Sequence, residues 1–92
     1  MTRYEVLLSE TAKKQLKKLP IDLKEHIKDK LAQLYEDPYY SRPKADIKKL
    51  KGPDRDYYRL RIGDYRAIYV VEAHNVKVAK VLHRSKAYEW ID

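Results

Sequence analysis

The run from Tyr57 to Val71 constrains the fold more than any other part of the chain. Tyr58, Leu60 and Ile62 alternate with Tyr57, Arg59 and Arg61, the two-residue period of a strand with one face buried. Gly63-Asp64 is a two-residue connection suited to a tight hairpin, and Tyr65 to Val71 forms the returning strand. His74-Asn75 marks a further turn, and Val76 to Leu82 reads as the last strand. Strands joined by such short turns make an antiparallel meander, whose apolar face needs a cover.

The N-terminal half supplies it. Arg3 to Leu8 suits a strand. Ser9 is placed to cap a helix carrying Ala12, Leu16 and Leu19 on one face, which Pro20 ends. Asp22, with Glu25 three residues later, reads as a capping-box start for a second helix, whose stripe is Ile27, Leu31 and Leu34. Asp37-Pro38 stops that helix, and Tyr39 to Lys44 reads as a loop. Asp46 to Lys51 is expected as an edge strand, with lysines guarding against stray pairing. Gly52-Pro53-Asp54 then makes a turn. Arg84 to Trp90 forms a short terminal helix or tail. The expected architecture is α+β: an N-terminal strand, a helical hairpin on one sheet face, an antiparallel β-meander and a short C-terminal helix. Residues 1–92 are read as one domain, with the second sheet face left to solvent, ligand or partner.

With 92 residues and no cysteine, the core is small and no disulfide or thiolate metal site supplements it. The apolar runs are too short to cross a bilayer, and the first residues lack a signal-peptide pattern, so a cytoplasmic location is expected. His26, His74 and His83 are scattered without ligand spacing, so neither metal nor cofactor is expected.

Charge narrows the function. The chain carries +7, and the excess is local. Residues 42–66 hold nine basic side chains against four acidic ones, whereas both flanking regions are nearly balanced. Such a concentration is the footprint of a polyanion-binding face. Alternation puts Arg59 and Arg61 on the open sheet face about 7 Å apart, with Arg66 just across the hairpin. Guanidinium binds phosphate oxygens bidentately, so three converging arginines point to phosphate or an acidic partner. Lys48, Lys49, Lys51 and Arg55 extend the basic stretch as candidate contacts for a polyanion such as RNA. Of the nine tyrosines, Tyr58 and Tyr69 are assigned to packing. Tyr57, Tyr65 and especially Tyr88 are candidates for the open face, where a ring can stack on a base.

Lys49-Leu50-Lys51-Gly52, Tyr58 to Tyr69 and the ending Val81-Leu82-His83-Arg84-Ser85-Lys86-Ala87-Tyr88 together resemble the RelE/ParE superfamily of toxins from type II toxin–antitoxin systems. The similarity spans nearly the whole chain, and its central block is the specific part. It implies a metal-independent endoribonuclease that enters the ribosomal A site and cuts the mRNA codon there, so inhibiting translation. In that chemistry the RNA 2′-hydroxyl attacks the adjacent phosphorus. The protein must remove that proton, neutralise the phosphorane and protonate the leaving 5′-oxygen. Position by position, Arg59 and Arg61 fall on basic residues of the family's third strand, and Arg66 on the arginine at the scissile phosphate. Arg84 matches a second phosphate-stabilising arginine, and Tyr88 the C-terminal tyrosine of proton transfer.

Several relatives of that type carry lysine where this chain has Arg59 and Arg61. Arginine stays protonated, which leaves Tyr88 and His83 as candidates for the general base. Two other readings stand beside the ribonuclease: a ParE-type toxin that poisons DNA gyrase, and a non-catalytic RNA-binding module. Either toxin implies an acidic, RelB-like antitoxin that folds against this domain as a helix or strand.

Overall fold

Local capping chemistry sets the first elements. Ser9 adopts an extended backbone and its Oγ accepts the N–H of Ala12 at 3.0 Å, which starts α1 (Glu10–Lys17) after β1 (Glu5–Leu8). The second helix, α2 (Ile21–Leu31), begins at Pro20 with no side-chain cap, so Asp22 and Glu25 do not form the expected capping box. Proline supplies the needed φ, and its carbonyl accepts Lys24 N–H at 2.9 Å, while Asp22 sits in the first turn where a carboxylate favours the helix dipole. Here α2 tightens into a 3-10 turn over Ala32–Tyr35. Asp37 Oδ1 then accepts the N–H groups of Tyr39 and Tyr40 at 2.8 and 3.1 Å, fixing the exit loop.

The computed structural model describes residues 3–91, with the backbone alone for residues 88–91. After the loop come β2 (Asp46–Lys51), β3 (Asp56–Ile62), β4 (Tyr65–Glu72), β5 (Asn75–His83) and α3 (Arg84–Ile91). They form one sheet in the order β1-β5-β4-β3-β2. The meander is antiparallel throughout, whereas β1 joins β5 in parallel and makes the sheet mixed. No helix among the described residues is long and apolar enough to cross a membrane.

One face of the sheet carries the core. Ala12, Leu16, Ile27, Leu31 and Leu34 pack on Ile47, Leu60, Ile62, Ala67, Tyr69, Val76, Val78 and Val81, all buried. Each large aliphatic side chain buried there contributes about 1.5–3 kcal/mol. Tyr69 is fully buried, its hydroxyl donates to Pro38 O at 2.7 Å, and burial, then the neighbouring Tyr58, push that hydroxyl well above its ordinary range. Tyr65 also joins the core cluster, so it is not on the open face. Tyr39 packs edge-on to Tyr4 and Tyr58, whereas Tyr40 is 72% exposed.

The apolar spacing in β5 is not strictly alternating: Val76 and Val78 are two apart, but the next core residue is Val81. A register shift between Ile68 and Tyr69 absorbs the difference, pairing Ile68 with Lys80 and Tyr69 with Val78 and leaving Ala79 as an extra residue. The bulge turns Lys80 away from the core. Its polar groups are met by α1, since Ser9 Oγ donates to Ala79 O and Gln15 Oε1 accepts Val81 N–H, both at 2.7 Å.

The turns of the β3–β4 and β4–β5 hairpins differ in strain. Gly63 takes φ +58°, which glycine adopts without penalty, but Ala73 in the β4–β5 turn is held at φ 55°. A left-handed backbone costs an L residue about 1–2 kcal/mol, part of which glycine would lose again as unfolded-chain entropy. Ala73→Gly is therefore expected to raise stability by roughly 0.5–1 kcal/mol, read from the midpoint of urea unfolding.

A cationic cleft as candidate functional site

Helices α1 and α2 cover one sheet face; α3 folds back over the other, next to β4 and β5. There Ala87 is 2% exposed, and it shares a cleft of about 280 Å³ with Asp46, Lys48, Leu50, Arg59, Arg61, Arg66 and Arg84. Strand register explains the convergence. Asp46 lies opposite Arg61 and Lys48 opposite Arg59, while Arg61 lies opposite Arg66 on the next strand. Neighbouring strands are about 4.8 Å apart, so these side chains rise from adjacent points of one surface. Among the described residues, five cationic side chains and a single carboxylate line it.

Each arginine is held differently. The Arg59 side chain is 15% exposed, and its Nη1 lies 3.4 Å from both Asp46 Oδ1 and the Asp46 carbonyl. Arg61 is more open, with Nη1 3.9 Å from Asp46 Oδ2. Arg66 Nη1 donates to Gly63 O at 2.8 Å and Tyr65 O at 2.9 Å, folding the guanidinium over the hairpin. Arg84 N–H donates to Asp64 O at 2.7 Å, and its Nε lies 4.0 Å from Asp64 Oδ1, so the same hairpin places the start of α3. Arg59, Arg61, Arg66 and Arg84, named from the sequence, are thus brought together. Such a fan of guanidiniums can hold a phosphate with several charge-assisted hydrogen bonds.

The other candidates part company. Lys48 lines the cleft. Lys49 points to the opposite side, because Ile47 on its face belongs to the core, and its ammonium meets Asp56 Oδ2 at 3.1 Å. That hydrogen bond and charge raise the Lys49 pKa. Lys51, two residues on, shares the face of Lys49 and pairs in register with Asp56, away from the arginines. Arg55 lies at the far end of the sheet and pairs with Glu72 at 3.1 Å. Glu72 also takes Lys77 Nζ at 2.6 Å, and first Lys77, then Arg55, hold its carboxyl below the usual range.

His83 sits opposite Tyr65, on the core side of the sheet, with the two rings edge-on at 5.4 Å. Its Nδ1 accepts Ser85 N–H at 3.3 Å and lies 3.0 Å from Ser85 Oγ, so the ring caps α3 and does not line the cleft. The Tyr88 and Trp90 side chains lie outside the described residues. Asp46, Leu50 and Ala87 were not anticipated as lining. For the first two the signal was present: with Ile47 inward, Asp46, Lys48 and Leu50 must share the open face. Among the described residues no group of three His, Cys, Asp or Glu side chains could hold a metal ion.

A second, apolar groove of about 370 Å³ continues along the same sheet face, lined by Leu7, Tyr57, Val70, Val78 and Ala79 with Arg55 and Lys77 among its polar lining. Tyr57 is therefore on the open face, as its alternation predicts. Leu7 is 44% exposed there.

Comparison with known proteins bears on the fold. Residues 6–88 match the family described as the ParE toxin of type II toxin–antitoxin systems, parDE. Toxin RelE3 of Methanocaldococcus jannaschii is 34% identical over 86 residues, covering 94% of this chain and 97% of the relative. The archaeal RelE–RelB complex from Pyrococcus horikoshii has a chain that superposes with a TM-score of 0.76 at 34% identity, over 94% of this chain and 99% of that one. The toxin–antitoxin complex RelBE2 from Mycobacterium tuberculosis gives the same TM-score, 0.76, at 24% identity, over 90% of this chain and all of that one, a likeness of fold.

Proposed function

Because this chain belongs to the RelE/ParE superfamily of type II toxin–antitoxin toxins, we propose that it is a ribosome-dependent endoribonuclease that cleaves mRNA in the A site. The observation that carries the reading is the convergence of Arg59, Arg61, Arg66 and Arg84 on one cleft. Cleavage by the 2′-hydroxyl builds negative charge on a pentacoordinate phosphorus, and prearranged cations stabilise it more than the ground state. In this reading Arg66 and Arg84 hold the scissile phosphate. Arg59 and Arg61 meet the developing charge, and Lys48 tracks the flanking backbone. The guanidiniums themselves supply the positive charge, so the reaction is metal-independent. The acting unit is residues 1–92, working in the cytoplasm where ribosomes are.

The family description that matches names ParE, and that keeps a gyrase-directed toxin as the second reading. The two separate in one experiment. Primer extension on a message translated in vitro by purified components is expected to show cuts inside codons that depend on both protein and ribosome. Intact message, together with gyrase-dependent breaks in plasmid DNA, would transfer the protein to the ParE reading. Bound but uncut message would leave an RNA-binding module.

We also propose an acidic, RelB-like antitoxin as partner. Relatives of this fold were solved as complexes with RelB, this chain carries +7, and its apolar groove borders the cationic cleft. An extended or helical segment with apolar anchors and acidic flanks fits both at once. Co-expression with the adjacent reading frame and co-purification checks it; a basic partner would count against it.

A further inference from the structure

The arginines that make this cleft suit a phosphate leave one catalytic task unassigned among the described side chains, the Tyr88 side chain lying outside them. Something must take the proton of the 2′-hydroxyl, and guanidinium does not, since it stays protonated throughout the accessible range. His83 caps α3 on the core side of the sheet, with Nδ1 occupied by Ser85. Among the described side chains that line the cleft, a single one is a carboxylate.

We infer that Asp46 is the proton acceptor of the reaction, an inference that rests on the ribonuclease reading above. Asp46 opens β2 directly opposite Arg61, so the strand register places its carboxylate within the guanidinium fan. Each oxygen faces a different arginine: Oδ1 lies 3.4 Å from Arg59 and Oδ2 3.9 Å from Arg61. These separations are long for ion pairs, and a carboxylate has about four acceptor positions, so two guanidiniums do not exhaust it. The side chain is 52% exposed, which leaves it within reach of a ribose. Arg59 has a second anchor on the Asp46 carbonyl at 3.4 Å, so it stays beside β2 when the carboxylate turns to substrate.

An RNA phosphate entering the cleft competes with Asp46 for the same guanidiniums. As Arg59 and Arg61 turn to the phosphate, the carboxylate is released next to the sugar that carries the nucleophile. The 2′-hydroxyl proton then passes to an Asp46 oxygen and the 2′-oxygen–phosphorus bond forms. The phosphorus–5′-oxygen bond breaks, and the leaving oxygen takes a proton from solvent water. Asp46 returns its proton to the hydroxide so formed, leaving a 2′,3′-cyclic phosphate and a 5′-hydroxyl. The exchange couples base release to substrate binding.

The test uses single-turnover cleavage of an A-site codon on programmed ribosomes, with wild type, Asp46→Asn and Asp46→Glu. Binding is measured in parallel to ribosomes whose message carries a 2′-deoxynucleotide at the cleaved position. Asp46→Asn is expected to cut at least ~100-fold more slowly, the lower end for loss of a general base, while binding the uncleavable complex at least as well as wild type. Asp46→Glu should recover part of the rate. Asparagine cutting at near the wild-type rate overturns the inference and leaves the ribonuclease reading intact. Loss of binding together with cleavage would make Asp46 a positioning residue for the arginines, which also overturns it. A wild-type protein that does not cut overturns both readings.

Discussion

Arg66→Ala is expected to slow cleavage of an A-site codon by roughly 10²–10³-fold, the loss seen when one prearranged donor to a developing oxyanion is removed. The size follows from how Arg66 is held. Its Nη1 is tied to the carbonyls of Gly63 and Tyr65 at 2.8 and 2.9 Å, so the guanidinium is oriented before substrate arrives. Arg66→Lys keeps the charge but loses the planar fork that matches two phosphate oxygens, and should recover little. Arg55→Ala is the matching control. It removes a cation from the same basic stretch, but one that pairs with Glu72 at the far end of the sheet. Its rate should stay near wild type. Single-turnover primer extension measures all three, with thermal unfolding to show that each variant folds. An Arg66→Ala protein that cuts as fast as Arg55→Ala would remove the scissile phosphate from this cleft.

Leu60→Ala is expected to be strongly destabilising. Leu60 is fully buried in β3, in register with Ile47 on one side and Ala67 on the other. Alanine next to Ala67 leaves a void that small neighbours cannot close, and such truncations cost about 2–5 kcal/mol. A domain of this size has only about 5–15 kcal/mol in total. At about 4–8 °C per kcal/mol, the melting temperature should fall by roughly 8–40 °C. Thermal unfolding followed by circular dichroism reads it directly. A fall of only a few degrees would mean that the helical hairpin settles into the gap.

Where the sequence obeyed one local rule at a time, it was legible. Ser9 caps α1, Gly63-Asp64 turns the hairpin, and the alternation in β3 sends Arg59 and Arg61 to the open face while Leu60 and Ile62 go to the core. Several features depended on contacts between distant segments and were not legible. The parallel pairing of β1 with β5 leaves no mark within either strand. Lys49 and Lys51 share a basic run with Lys48, yet alternation sends them to the other side, a distinction that charge counting cannot make. His83 looked like a base because it precedes Arg84, but one step along the strand carries its ring to the opposite face. The bulge at Ala79 is a middle case: the Val78-to-Val81 spacing announced an irregularity, while its satisfaction by Ser9 and Gln15 needed the folded helix.

The parallel pairing of β1 with β5 also bears on how such a chain comes off the ribosome. Ser9 meets Ala79 across 70 residues of sequence, and β1 has no other strand beside it. Closing so large a loop is entropically costly, and a growing chain cannot begin to do so until β5 has emerged. Arg84 is reached only after that strand, and α3 must then fold back beside Arg66. The cleft is therefore assembled only once β5 and Arg84 have both been made, and a chain cut short before β5 lacks both the docking site of β1 and the last arginine of the cleft. Vectorial synthesis thus leaves an interval in which both hairpin helices and the first meander strands exist without a complete cleft.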